Sequence, residues 1–197
     1  MQTFFLEPRW NKTAPVSVEA SIDICDGFIN ANFAVEEALC CFCQDKEWDG
    51  EAVWQDSCVE IFLKMLSGNG EYANFEFNSK GVCYAARGKD RQNRIELSKS
   101  EYAQIIRKPS GVFTEGDFCK WALSVQIPGI LLGAKDCDLQ NIEGNLYKCA
   151  DHAAKPHYLS AFSINTPKPD FHRPEFFLPL VLLVRKYKTG SCQNNQE

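Results

Sequence analysis

No stretch of this sequence is apolar for long enough to cross a bilayer. The longest apolar run near its C-terminal end, "LVLLV" at 180–184, falls far short of the ~20 residues a spanning helix needs. The opening "MQTFFLEPRWNK" has neither the basic start nor the apolar run of a secretory signal. A long basic stripe is also missing. Lysine and arginine number 21 against 26 acidic residues, for a net charge of −5, so neither nucleic acid nor a membrane surface is the expected partner. No glycine-rich phosphate cradle or Gly-x-Ser-x-Gly elbow occurs. The acidic and amide loops contain no EF-hand calcium pattern. Repeats and low-complexity linkers are absent as well.

Cysteine, by contrast, is plentiful at ten residues. Cys40, Cys41 and Cys43 lack the second half of a zinc-ligand pattern, and the three histidines are spread apart, so no metal is expected. Cys58, Cys83 and Cys119 sit in strand-like stretches, where a thiol behaves as a small buried hydrophobe. Without a signal segment, reduced thiols in a cytoplasmic protein are expected rather than a disulfide framework. A leader removed beforehand would reverse that expectation.

A chain of 197 residues fits one domain. Residues 1–187 are assigned to it, and the polar end at 188–197 reads as a flexible tail. Alternation of period two recurs along the domain. In "VSVEASIDI", Val16, Val18, Ala20, Ile22 and Ile24 share one face, and the Asp26-Gly27 turn follows. In "CVEIFLKM", Val59, Ile61, Leu63 and Met65 oppose Cys58, Glu60, Phe62 and Lys64. "YANFEFNSKGVCYAARG" reads as two strands joined at Ser79-Lys80-Gly81, with Phe75 and Phe77 opposite Asn74, Glu76 and Asn78. "KWALSVQIP", "HYLSAFSIN" and "EFFLPLVLLV" are further strand candidates. A short helix is expected only around 99–107. Many closely spaced strands predict an all-β, antiparallel, immunoglobulin-like or jelly-roll sandwich.

The polar strand faces carry the chemistry. Asp56 and Glu60 share one side of their strand, Asn74, Glu76 and Asn78 one side of theirs, and Arg87 follows on a third. If these strands are neighbours, acids, amides and a guanidinium converge. That mix suits sugar hydroxyls, which both donate and accept. Trp54 offers a flat apolar wall for the C–H face of a pyranose. The prolines of "NTPKPDFHRPEFF", Pro167, Pro169 and Pro174, stiffen a loop that projects Phe171 and His172. Two other readings fit the same residues. The outer face of an antiparallel sheet is normally polar, and Phe171 could simply fill a core. Glu60 and Glu76 could also act as the acid and base of a glycosidase.

Taken in order, "VWQDSCVEIFL", "YANFEFNSKG", "NLYKCAD" and "PHYLSAFSINTPKPDFHRPEFF" resemble the family 9-like carbohydrate-binding domains, related to the family 9 modules of xylanases. The resemblance covers about residues 10 to 187. It implies a DOMON-related sandwich that holds a sugar between two aromatic walls without catalysis. Trp54 matches the first wall, Glu60 an acid that bonds the sugar, and Arg87 the basic partner, with Asn165 a further polar contact. Phe171-His172 stands where the modules have tryptophan. The calcium sites of the xylanase modules find no matching ligand set, so calcium is possible only through the resemblance and no cofactor is expected.

Overall fold

The Asp26-Gly27 turn shows how local chemistry sets the register of this chain. Both residues adopt positive φ, 52° and 78°, as the two-residue turn that follows strand twist requires. They close a long hairpin, β2 (Val16–Cys25) to β3 (Phe28–Ala38), with Cys25 opposite Phe28 and Val16 opposite Glu37. The computed structural model describes residues 1–10, 14–134 and 138–181. The tail expected at 188–197 lies outside the described residues.

Before this hairpin runs β1 (Gln2–Pro8). After it come β4 (Cys58–Lys64), β5 (Tyr72–Asn78), β6 (Cys83–Gly88) and β7 (Arg94–Glu96). The one-turn helix α1 (Lys99–Tyr102) leads into β8 (Ile106–Glu115) and β9 (Phe118–Pro128). Three short strands complete the described fold: β10 (Glu143–Cys149), β11 (Tyr158–Ser160) and β12 (Leu178–Pro179). All pairings are antiparallel, in the order β7-β6-β5-β4-β10-β11-β1-β2-β3-β9-β8, with β12 also on β10. The path curls into two layers. β1 belongs to both: Gln2–Leu6 pair with β2, while Glu7 and Pro8 pair with β11.

The alternation seen in the sequence decides what lies between the layers. Val18, Ala20, Ile22, Phe33, Leu123 and Val125 from one layer meet Val59, Ile61, Leu63, Phe75, Phe77 and Leu146 from the other. Two layers packed face to face over one core make a β-sandwich, as the sequence predicts. A buried ion pair ties the layers together at one end. Lys148 Nζ of β10 lies 3.0 Å from Glu37 Oε2 of β3. Trp121 Nε1 donates to Glu37 Oε1 at 2.7 Å, and the Ser57 hydroxyl donates to the same oxygen. Lys148 also donates to Ser57 Oγ at 3.0 Å and to His157 Nε2 at 2.8 Å. Burial, together with the neighbouring ammonium, lowers the His157 pKa to about 3, so the imidazole is neutral and accepts.

Several expected elements differ. "HYLSAFSIN" forms only three residues of strand. "EFFLPLVLLV" begins inside a 3₁₀ turn, Pro174–Phe176, and only its Leu178–Pro179 pair; the run beyond 181 is outside the described residues. The helix expected over 99–107 stops at Tyr102, because β8 begins at Ile106. The polar faces of β4 and β5 are not solvated. Every residue of β5, and of β4 up to Leu63, is buried, so this layer is covered on both sides.

Candidate functional site

What covers the second face of that layer is the proline segment. Phe62, Tyr72 and Tyr147 on the strands form a second apolar cluster with Phe171 and Phe177 from the segment and Ile164 just before it. The Phe171 ring stacks on Tyr147 with centroids 4.2 Å apart and planes within 7°. Trp10 Nε1 donates to Thr166 O at 2.9 Å, and Tyr147 Oη donates to Phe171 O at 3.2 Å. His172 Nδ1 lies 2.8 Å from Tyr72 Oη. Burial and the nearby Arg94 and Arg91 lower the His172 pKa to about 3, so Nδ1 of a neutral ring accepts the phenol proton. These bonds pin a segment whose prolines already restrict it.

Beside this cluster the cover is incomplete and leaves a cavity of about 340 Å³, within the size range of small-ligand sites. Glu60 and Glu76 line it from adjacent strands, directly opposite each other in register. Trp54 stands at one side on the 3₁₀ turn Val53–Gln55, with Tyr84 edge-on at 5.3 Å. Tyr158, Phe171 and His172 stand at the other. Arg91, Arg94 and Lys168 also line the cavity, as do Asp151 and Asp170.

Burial dominates the electrostatics of the floor. Glu60 and Glu76 are each 3% exposed. Desolvation pushes the Glu76 carboxyl up to about 8, against the opposing pull of Arg94 and the Asn74 amide. Glu60 is raised well above the carboxylate range by burial, with Cys149 and Glu76 adding to it. Cys149 Sγ donates to Glu60 Oε1 at 3.0 Å, and Asn74 Nδ2 donates to Glu76 Oε1 at 2.9 Å. The other Glu76 oxygen, Oε2, is buried and has no partner among the described residues. Such an orphan in a folded protein calls for a ligand group or water.

The ligand atoms of Cys58, Glu60 and Cys149 lie within 4.8 Å of one another. Two thiols and one carboxyl do not fit calcium, which takes six or more oxygens. A thiophilic cation such as zinc is the ion this donor set suits.

Of the residues expected from the sequence, the cavity brings together Trp54, Glu60, Phe171 and His172. Asp56, Asn78, Arg87 and Asn165 are not in its lining. The Asp56 carboxylate accepts from the Asp45 and Lys46 amides at 3.0 and 2.9 Å and from Asn78 Nδ2 at 2.9 Å. Asn78 Oδ1 accepts from Lys80 N and Val82 N, both at 3.0 Å. The pair therefore fastens two loops to the sheet. Arg87 alternates with Ala86 onto the opposite face of β6, where Nη1 meets Glu101 Oε1 at 2.7 Å. Asn165 is exposed ahead of the proline segment.

Sequence reasoning missed Arg91, Arg94, Asp151, Tyr158 and Lys168. The first two lie in "GKDRQNR", a dense polar turn after a strand, and only that clustering hints at them. Asp151 ends the "NLYKCAD" element, two residues past the end of β10.

A solved structure of a protein from Bacteroides uniformis ATCC 8492, assigned as carbohydrate-binding, is similar to this chain. The two share 27% identity over 90% of this chain and 84% of that one, with a TM-score of 0.74. None of the curated proteins matches. A sandwich with an aromatic-walled, polar-floored cavity defines the class as a binding module. The chain belongs to carbohydrate-binding family 9, whose family model matches residues 9–182.

Proposed function

We propose that this protein binds carbohydrate without catalysis, taking a mono- or oligosaccharide end into the cavity beside Trp54. The observation that carries this reading is the unpartnered buried oxygen of Glu76 at the floor of an aromatic-sided cavity. A sugar hydroxyl can donate to or accept from such a group, while the C–H face of the ring packs on indole or phenol. Glu60, Glu76 and Arg94 would read hydroxyls. Trp54 would form one wall, and Tyr158 with Phe171 the other. Phe171 already spends one face on Tyr147, so it offers an edge more than a platform. The family and the likeness to the Bacteroides protein both support the assignment.

A glycosidase needs one of its two carboxyls ionised as base or nucleophile. Burial holds both Glu60 and Glu76 toward the protonated form, which favours binding over hydrolysis. Net hydrogen bonds contribute about 1 kcal/mol each and an aromatic contact on the order of 1 kcal/mol beyond area burial, so a Kd from micromolar to millimolar is expected.

Isothermal calorimetry on Trp54→Ala should show at least a tenfold loss of affinity for whichever sugar the native protein binds, with Trp54→Phe retaining part of it. Unchanged affinity in Trp54→Ala would remove the indole from the site.

A further inference from the structure

Most arginines in this chain are spoken for. Among the described residues there are six. Arg9, Arg87, Arg107 and Arg173 hold Glu7, Glu101, Asp49 and Glu175 at 2.9, 2.7, 2.6 and 2.5 Å. The two without a carboxylate partner among the described residues, Arg91 and Arg94, both line the cavity, and so does Lys168, which has none among them either. Lysines without a carboxylate partner occur elsewhere on the surface, but in a protein with a net charge of −5 the two arginines without one stand together at this opening.

Their placement is built rather than loose. The turn carrying Arg91 is locked by Asp90, whose Oδ1 accepts from Gln92 N and Asn93 N, both at 2.9 Å, and whose Oδ2 accepts from Asn93 Nδ2 at 2.8 Å. The Arg94 guanidinium is half-buried over the Tyr84 ring, 5.9 Å from its centroid. It donates through Nη1 to Asn74 Oδ1 at 2.7 Å and through Nε to Arg91 O at 3.1 Å. That holds its plane and leaves Nη2 without a partner among the described residues.

The acids nearby have other work. Asp90 is engaged within its own turn. Asp170 accepts from His172 N at 3.1 Å and faces Arg173 at 3.9 Å. Asp151 sits against the Tyr158 phenol. The two floor carboxyls point into the same space but are buried and, by that burial, biased toward the neutral form.

We propose that the cavity selects an anionic sugar, a uronic-acid residue whose carboxylate is taken by Arg94 and Arg91 with Lys168 closing over it. This deepens the carbohydrate reading above and rests on it. A planar guanidinium with a fixed orientation matches a carboxylate in a way that a neutral hydroxymethyl group cannot. Arg91 and Lys168 are exposed, so they bear on binding of a charged ligand rather than on the fold.

The test compares pairs of sugars that differ only at C6, with glucosamine as a cationic control. Calorimetric titrations with glucose and glucuronate, galactose and galacturonate, and glucosamine are run at low salt and at 0.5 M NaCl. The expected result is a preference of about tenfold or more for one uronate over its neutral partner. That preference should shrink in salt and narrow, without vanishing, in Arg91→Ala/Lys168→Ala, where Arg94 remains; a preference undiminished in that variant overturns the anionic assignment. Equal binding of neutral and acidic partners, or a preference for glucosamine, overturns the anionic assignment while leaving carbohydrate binding intact. No heat with any of the sugars, in a protein whose fold circular dichroism confirms, overturns both.

Discussion

Glu60 and Glu76 meet across two strands, each almost wholly buried, and each therefore carries a cost that depends on pH. A carboxyl whose pKa is raised on folding binds more protons in the folded state than in the unfolded one. Its contribution to stability is complete below its ordinary value near 4.5 and is lost progressively as pH climbs to the folded value, about 8 for Glu76. Glu76→Gln keeps the neutral shape and removes that loss. Urea denaturation should find it equal to the native protein or slightly less stable at pH 5. At pH 9 it should be more stable, by on the order of 1–3 kcal/mol. His157 and His172 act at the other end of the scale. Both are held neutral with pKa values of about 3, so the unfolded chain takes up their protons first, and stability should fall as pH drops from about 6.5 toward 3. At this scale the sequence was informative where strand periodicity applied. Trp54 and Glu60 could be picked out because Glu60 alternates with known core positions. Asp56 carries the same periodicity yet serves two loop amides, since spacing gives a side chain's face but not its partner. Arg94 sits where no periodicity reaches it.

The proline segment over 165–177 shows how an element can be read correctly in one respect and incompletely in another. Its stiffness follows from Pro167, Pro169 and Pro174, and its aromatic residues do reach the cavity. That it lies across the sheet face, turning a polar strand surface into a buried one, depends on long-range contacts with Tyr147 and Trp10 that no local pattern contains. Phe171→Ala would remove a ring stacked on Tyr147 and should cost about 3–5 kcal/mol of stability by chemical denaturation. Strand β10 escaped notice for a related reason. Buried on both sides, it places Asn145 and Lys148 inside, and its sequence shows no alternation of apolar and polar residues. Strand β8 is concealed differently: it is an edge strand, mostly exposed, with a bulge between Pro109 and Val112. Its polar composition and Pro109 are normal for an edge but give no strand signal.

For the whole molecule the decisive contact is the clasp of Glu37 and Lys148 between the layers. Taking away one member leaves the other charged and dry, so Lys148→Met alone should destabilise by roughly 3–5 kcal/mol. The double variant Glu37→Leu/Lys148→Met should recover much of that loss, because an apolar pair avoids the desolvation cost. Denaturation midpoints of the two variants, read side by side, check this. Salt should barely alter them, since buried charges are weakly screened.

One further consequence comes from the layer that is covered on both sides. The strands whose inner residues hold the sandwich together are the same strands whose outer residues line the cavity. Melting the floor under a guest means melting the sandwich itself. Occupancy should therefore register as a rise in the global melting temperature, with about 2.7 kcal/mol of added stability at a hundredfold excess over Kd. A simple dye-based heating curve against a sugar library would then be enough to find what fits.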